Sequence, residues 1–421
     1  MTGPACRVCA TVIVYDPDLS HVGIGQLFDS TEAAGTTDYA IGVDQKSAAG
    51  TADWIRERLR DATVFEFEWQ DDFAHARNLA LDRVPAGCDW SYWIDSDDEL
   101  EATAGSNLPE FLASLPPEVG MVWVPYIRRC PSGAIAGEVN REVFYRTSVV
   151  ARWQDAVHET WACPPDTVEC STRVFRRRHE GVDDDRSHSD RNLRILTHML
   201  ESEPNRPRTW SLIATEHAFA GRWRDAVQAY SEAIRLSPAY LEAYSEAIRS
   251  PSASPVYSEA WLRSVALPAV EEDAVLSAVK GAYAALIAGD LDQAVQMVGV
   301  AMRMRPKWPE SLFVQGQLRY WLGDFRGACE SLEASLAVFA TDGAGIPPWK
   351  PTSAYSYRTE PHLLLVAAYC ELGEVEPAVK HVEAALASSG PAPWLMTRLI
   401  EMRAALRAGL PSQALEIWLR A

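Results

Sequence analysis

An apolar run, Asp89-Trp90-Ser91-Tyr92-Trp93-Ile94-Asp95-Ser96-Asp97-Asp98, ends in three carboxylates. Carboxylates this close repel one another unless a cation neutralises them. Hard oxygen ligands suit Mg2+ or Mn2+, either of which can bridge a substrate diphosphate. If the run is a strand of an open α/β sheet, its acidic tip falls beyond the carboxyl end of the strand, where such sheets bind ligands. The competing reading is a solvated acidic turn that caps a following helix. Upstream, Trp69-Gln70-Asp71-Asp72-Phe73-Ala74-His75-Ala76-Arg77-Asn78-Leu79-Ala80-Leu81 predicts a helix capped by Asp71 or Asp72, with Phe73, Ala76, Ala80 and Val84 on its apolar face. Arg77 and Asn78 then lie near its beginning, where a guanidinium could grip phosphate or orient an aspartate.

These segments need a scaffold, and the first half of the chain predicts one. Apolar runs at 10–15, 39–44, 64–69, 90–95, 121–127 and 142–146 read as strands. Amphipathic stretches at 51–60, 72–84 and 108–115 read as helices. Strands separated by helical segments indicate a mostly parallel α/β sheet. From Arg206 onward a repeat takes over: Gly, then Ala five residues later, then Ala or Ser at twelve. It occurs at Gly221/Ala226/Ala233, Gly289/Ala294/Ala301, Gly323/Ala328/Ser335, Gly373/Ala378/Ala385 and Gly409/Ala414/Ala421. Gly289 to Gly323 is one interval of 34 residues, and Gly221 to Gly289 is two. Gly would mark the turn between paired helices, and each small residue would let neighbouring helices approach closely.

The repeat resembles the tetratricopeptide repeat, most fully in Trp210, Ala214, Gly221, Ala226, Tyr230, Ala233 and Pro238. The unit expected near 241–274 is interrupted by Pro251 and Pro255, and an insertion holding Gly343, Gly345, Pro347, Pro348 and Pro351 parts the third and fourth clear copies. Such repeats either stabilise their neighbour or bind protein or peptide in a concave groove.

The first half resembles family 2 glycosyltransferases of the GT-A fold, in the subgroup fused to tetratricopeptide repeats. That subgroup carries a W-x-D-D-F-A-x-A-R-N-x-A-L helix and a D-W-x-x-W-x-D-x-D strand end, and both stand here nearly intact. Its V-D-x-G-S-x-D-G-T segment is matched by Val43, Asp44, Ser47, Gly50 and Thr51. The chain departs at Lys46 and Ala49, where the family has Gly and Asp, and Tyr15-Asp16-Pro17-Asp18 replaces the usual asparagine-glutamate. The resemblance implies that Asp44 and Asp16 contact base and ribose, that Asp95 lies nearest the ribose or diphosphate, and that Asp97 binds the metal. Arg77 would neutralise the diphosphate or hold the acidic pair.

Arg152-Trp153-Gln154-Asp155-Ala156-Val157-His158-Glu159-Thr160-Trp161 matches the family's V-H-E element, which falls where an inverting enzyme places its base. The resemblance therefore assigns proton abstraction to Glu159, with Asp155 and Glu180 as alternatives. His158 is then a metal ligand or an acceptor contact. His179-Glu180-Gly181 matches the later H-x-G element, making His179 a rival metal or diphosphate ligand. Trp153 and Trp161 flank the supposed base and are candidates for stacking on an acceptor sugar, though tryptophan more often fills a core.

The reading is thus an α/β GT-A domain over 1–200 and an all-α repeat domain over 201–421. It implies an inverting, Mn2+- or Mg2+-dependent transfer of sugar from a nucleotide sugar, with UDP-sugars dominant in the resemblance. The acceptor would be a hydroxyl or thiol on a peptide, protein or small molecule. The alternative from another class is an adaptor that has lost transfer activity. A net charge of −19 over 421 residues argues against nucleic acid as a partner, with Arg176-Arg177-Arg178 the one candidate basic patch. No apolar run reaches the ~18 residues of a membrane span, and Met1–Pro4 lacks the start of a secretory signal, so a cytoplasmic location is expected. Cys6 and Cys9 form a lone CxxC, read as free thiols. Repeat solenoids often pair, which raises a homodimer.

Overall fold

The computed structural model describes residues 6–15, 19, 23–129, 135–164, 166–180, 185–237, 272–340, 360–387 and 393–419. The chain forms two compact units that divide between Asp183 and Asp184, inside the span assigned to the first domain from sequence. Expectations for Asp16, Pro238, residues 241–271 of the degenerate unit, the insertion around Gly343–Pro351 and Ala421 lie outside the described residues.

The first unit holds β1 (Val8–Val14), α1 (Ile24–Ala34), β2 (Asp38–Asp44), α2 (Thr51–Arg58), β3 (Thr63–Phe67), α3 (Phe73–Leu81) and β4 (Trp90–Trp93). It continues through β5 (Asp98–Ala102), α4 (Leu108–Ser114), β6 (Val119–Arg129), β7 (Ile135–Arg146), β8 (Arg152–Gln154), β9 (Thr160–Ala162), β10 (Val168–Ser171) and β11 (Phe175–Glu180). One nine-stranded sheet runs in the order β3-β2-β1-β4-β7-β6-β11-β5, with β10 beside β6, and β8 and β9 form a separate pair. Strands β1 to β4 are mutually parallel, β7 is antiparallel to both β4 and β6, and β11 runs parallel to β6 and antiparallel to β5. The sheet is therefore mixed, with its parallel half where the strand–helix alternation placed it. β1 is buried along nearly its whole length because helices cover both faces of a parallel sheet; its Val8, Ala10 and Val12 join Ile24, Leu27 and Phe28 of α1 in the core.

Two elements were not anticipated at the acidic tip. Asp98–Ala102 is a strand, not a helix-capping turn, and the supposed basic patch Arg176-Arg177-Arg178 is its antiparallel partner. Alternation explains both. Arg178 pairs with Glu99 and Glu101 on one face at 2.5 and 2.7 Å, and Arg177 turns to the other face and is 1% exposed. Only Arg176 of this run keeps a largely open side chain, 41% exposed and 4.0 Å from Glu101.

The second unit comprises α5 (Asp185–Ser202), α6 (Pro207–Phe219), α7 (Trp223–Leu236), α8 (Glu272–Ala288), α9 (Leu291–Met304), α10 (Pro309–Trp321) and α11 (Phe325–Ala340). It ends with α12 (Glu360–Glu371), α13 (Val375–Ala387), α14 (Pro393–Arg407) and α15 (Pro411–Leu419). Helices pair as hairpins about the five repeat glycines, all at φ between 71 and 78°. At each, the glycine N–H donates to the carbonyl three residues back and the next N–H donates to the carbonyl five back, as in Gly323 to Tyr320 and Asp324 to Arg319. That is the Schellman cap, repeated five times. The alanines five residues on (226, 294, 328, 378 and 414) are all 0% exposed, as the close approach of helices requires. No described helix is long and apolar enough to cross a membrane.

Candidate functional site

The acidic tip of β4 lies at the carboxyl ends of the parallel strands, where an open sheet presents its ligand site. After Trp93 the chain makes a turn in which the Asp98 N–H donates to the Asp95 carbonyl at 3.1 Å, sending Asp98 into β5. The three carboxylates are then sorted by two buried guanidinium groups. Arg77, on α3, donates from Nη2 to Oδ1 of Asp95 at 2.9 Å and from Nε to Glu159. Arg177, on β11, donates from Nη2 to Oδ2 of Asp95 at 2.7 Å and from Nε to Oδ2 of Asp98 at 2.8 Å. Between them lies the Trp93 ring, 4.4 Å from the Arg77 guanidinium carbon and 3.8 Å from that of Arg177. Burial works against the charge on Asp95, but Arg77 and Arg177 outweigh it and hold its carboxyl well below the usual carboxylate range.

Asp97 has no such partner. Burial, then repulsion from Asp95 and Asp98, pushes its carboxyl up to about 6. His179 sits opposite Asp98 in the β5–β11 ladder, with Nδ1 3.0 Å from Oδ1 of Asp98 and 3.8 Å from Oδ2 of Asp97. Asp97, Asp98 and His179 each offer a ligand atom within 4.8 Å of the others. Two carboxylates and an imidazole, one carboxylate destabilised by uncompensated negative charge, fit a divalent cation. Of the expected ligands Asp95, Asp97 and His179, the structure brings Asp97 and His179 together with Asp98, while each oxygen of Asp95 accepts from a guanidinium group.

The capping expectation for α3 resolves to Asp72, which accepts from the His75 N–H at 2.8 Å; Asp71 accepts from the Trp69 indole instead. The helix carries the β8–β9 hairpin. Phe73 N–H donates to the Ala156 carbonyl at 2.8 Å, and the Asn78 side chain makes two 3.0 Å bonds with the backbone of Trp153. Asn78 is thereby committed to the hairpin, and its docking delivers Glu159 to Arg77. The connecting loop is strained, with Asp155 at φ 73° and His158 at φ 53°. His158 is half-buried and is not among the groups that converge on Asp97.

Trp153 is 4% exposed and packs with Trp93 and Tyr145, so it walls the centre from within and offers no open platform. Trp161 is half-buried, with one face stacked on Tyr145 at 3.9 Å. Asp44 ends β2, one strand over from β1, and accepts from the Lys46 N–H at 3.0 Å. It lines an open hollow of about 140 Å³ with Gly50, Thr51, Asp53 and Glu66. Arg177 is the buried member of this cluster that sequence reasoning did not place there. The signal was present: on a strand, Arg177 and His179 share a face by their spacing of two.

No protein-family model matches the chain, and no curated protein matches it. Among solved structures it is similar to a thermophilic TPR protein of Thermus thermophilus, at 16% identity and a TM-score of 0.33, covering 53% of this chain and 92% of that one. It is similar also to a tetratricopeptide repeat protein of Parabacteroides merdae, at 15% identity and a TM-score of 0.34, covering 55% and 72%. A third is BtubC of P. vanneervenii, at 14% identity and a TM-score of 0.36, covering 56% and 86%.

Proposed function

We propose that the first unit is a divalent-cation-dependent glycosyltransferase of GT-A type that transfers sugar from a nucleotide sugar, with a UDP-sugar as the first donor to test. The observation that carries this reading is the convergence of Asp97, Asp98 and His179 at the carboxyl end of β4, beside the buried Arg77. The parallel order β3-β2-β1-β4 and the hollow at Asp44, two strands from the acidic tip, support it, because such sheets bind ligands beyond the carboxyl ends of their strands. A bound Mn2+ or Mg2+ would supply charge neutralisation to a departing diphosphate. Asp97, Asp98 and His179 would hold it, Asp44 would contact the nucleoside, and Asp95 would fix Arg77 at the edge of the diphosphate subsite. Glu159 would accept the proton of the acceptor hydroxyl or thiol. Its Oε1 is committed to Arg77, so proton transfer falls to Oε2. A single displacement inverts the anomeric carbon. The helical unit would bind a protein or peptide acceptor through its stacked hairpins, and a cytoplasmic location completes this reading.

The test is donor hydrolysis and transfer with a panel of nucleotide sugars and Mn2+. Asp97→Ala and chelation should each abolish both, and retention of full rates by either would reject the cation role. Glu159→Gln should keep donor binding and lose transfer. One observation favours the adaptor alternative: in this structure Glu159 is ion-paired with Arg77 and so is not a free base. Nucleotide binding by calorimetry without any turnover across the panel would select that alternative.

A further inference from the structure

We infer that Arg177 is a positioning residue that decides which of the clustered carboxylates can reach a cation. The inference rests on the cation reading above and adds a residue to it. Arg177 lies in β11 two residues before His179, so one strand carries both the positioning group and the nitrogen ligand. Its guanidinium is 1% exposed, lies over the Trp93 ring at 3.8 Å and sits 5.0 Å from the ring centre of Tyr126. Nε and Nη2 hold Oδ2 of Asp98, and Nη2 also holds Oδ2 of Asp95. Nη1 is buried without a hydrogen-bond partner.

The bonding leaves few oxygens to a metal. Each oxygen of Asp95 accepts from a guanidinium group, Oδ1 from Arg77 and Oδ2 from Arg177. Oδ1 of Asp98 meets no guanidinium group and lies 3.0 Å from Nδ1 of His179. Asp97 pairs with neither arginine, and its nearest cationic group is His179. The fork of one guanidinium therefore competes with a cation for Asp95 and fixes Oδ1 of Asp98 in the direction of the imidazole. A lysine could not do this, since its single ammonium does not span two carboxylates in a fixed plane. A buried charge with an orphaned donor is a poor device for stability alone. Its retention at this point fits a task of orienting ligands, as groups behind metal-binding residues commonly do.

The experiment measures Mn2+ affinity of the full chain, from the signal of free aqueous Mn2+ in electron paramagnetic resonance and from calorimetry. The wild type is compared with Arg177→Met, Arg177→Lys, Asp95→Asn and Asp98→Asn, each checked for fold by circular dichroism. Arg177→Met and Asp98→Asn should weaken binding by about 10- to 100-fold. Arg177→Lys should also weaken it, despite keeping the charge. Asp95→Asn removes a neighbouring charge but no ligand oxygen, so it should weaken binding distinctly less than Asp98→Asn does. Wild-type affinity in Arg177→Met, or full recovery in Arg177→Lys, overturns the positioning role. A loss in Asp95→Asn equal to that in Asp98→Asn overturns the sorting of carboxylates. If Arg177→Met does not fold, the lysine and Asp95 variants decide. Absence of Mn2+ binding by the wild type overturns the cation reading and this inference with it, whereas binding that Arg177→Met leaves unchanged overturns this inference alone.

Discussion

Replacing Arg77 by Met is the sharpest probe of how the site is held together. Arg77 is 7% exposed and pairs with two carboxylates that differ in what else they have. Asp95 keeps Arg177 after the substitution, at 2.7 Å, and should tolerate the loss. Glu159, whose side chain is 12% exposed, loses its ion-pair partner. Removing one partner of a buried pair costs about 3–5 kcal/mol. Methionine restores part of the contact with Trp93 and Trp153, since sulfur–aromatic contacts contribute about 0.3–1.5 kcal/mol. We expect a net loss near 3 kcal/mol at neutral pH, at the low end of that range. Pairing with Glu159→Gln should recover about 2 kcal/mol of it, because no charge is then left buried and unpaired. The assay is urea unfolding of the full chain followed by tryptophan fluorescence and analysed as a double-mutant cycle. A loss below about 1 kcal/mol, or a coupling energy near zero, would show that Arg77 and Glu159 do not depend on each other and would refute the reasoning.

Two glycines of the helical unit should fail for different reasons. Gly323 has φ 78° with open space around its missing Cβ, so Gly323→Ala should cost about 1–2 kcal/mol and Gly323→Asn distinctly less, by thermal melting. Gly316 has an ordinary helical backbone, but a Cβ there would meet Leu332 Cγ at 2.6 Å; Gly316→Ala should cost about 1–3 kcal/mol, with partial rescue by Leu332→Ala and none by asparagine. The Nδ1 atoms of His362 and His381 are 2.9 Å apart, so one must donate and the other accept. Burial, then His362, brings the pKa of His381 down to about 4, with Lys380 lowering it and Glu333 opposing. The unfolded chain therefore takes up a proton near pH 6.5 before the folded one does. Stability is full above that pH and falls as pH drops toward 4, by about 1–2 kcal/mol between pH 7 and 5. A melting temperature of the helical transition that is flat over this range, or that falls equally in His381→Phe, would contradict the assignment.

How much of this was legible in the residues depends on whether the cause was local. The repeat glycines were legible because a left-handed cap needs a residue without Cβ, and that need recurs at fixed spacing. The α3 helix was legible from its cap and apolar face, and the parallel half of the sheet from the alternation of runs. The strand at Asp98–Ala102 was not, because its acidic composition disfavours a strand until Arg176–Arg178 lies opposite it, some 75 residues later in the chain. The same distance hid the site's true partition. Asp95 and Asp97 look equivalent as a D-x-D pair, and only the arrival of Arg77 and Arg177 from α3 and β11 makes one an anchor and leaves the other open. Whether Trp153 fills a core or offers a face to a sugar was open for a related reason: its burial is a property of the packed hairpin, and the hairpin docks through Asn78.

The charges of the site set an order of events. Glu159, Asp95, Asp97 and Asp98 contribute four negative charges against two positive ones from Arg77 and Arg177, which leaves a net charge of −2 with His179 neutral. A divalent cation brings that sum to zero, and a monovalent one does not. A nucleoside diphosphate adds further negative charge, and both guanidinium groups already have carboxylate partners. The diphosphate should therefore bind weakly until the cation is in place, and bind well after it, since opposite charge close by is the strongest remaining term in a partly buried site. The measurement is calorimetric titration of the full chain with uridine and guanosine diphosphates, with and without Mn2+, at fixed ionic strength. Cation should tighten the nucleotide at least tenfold, and nucleotide should tighten Mn2+ by the same factor, because coupling between two ligands is reciprocal. Equal nucleotide affinity in the presence of a chelator would mean that Arg77 or Arg177 releases its carboxylate to take the phosphate. The buried chain of alternating charges would then be a movable contact, and the fixed frame argued from its hydrogen bonds would be wrong.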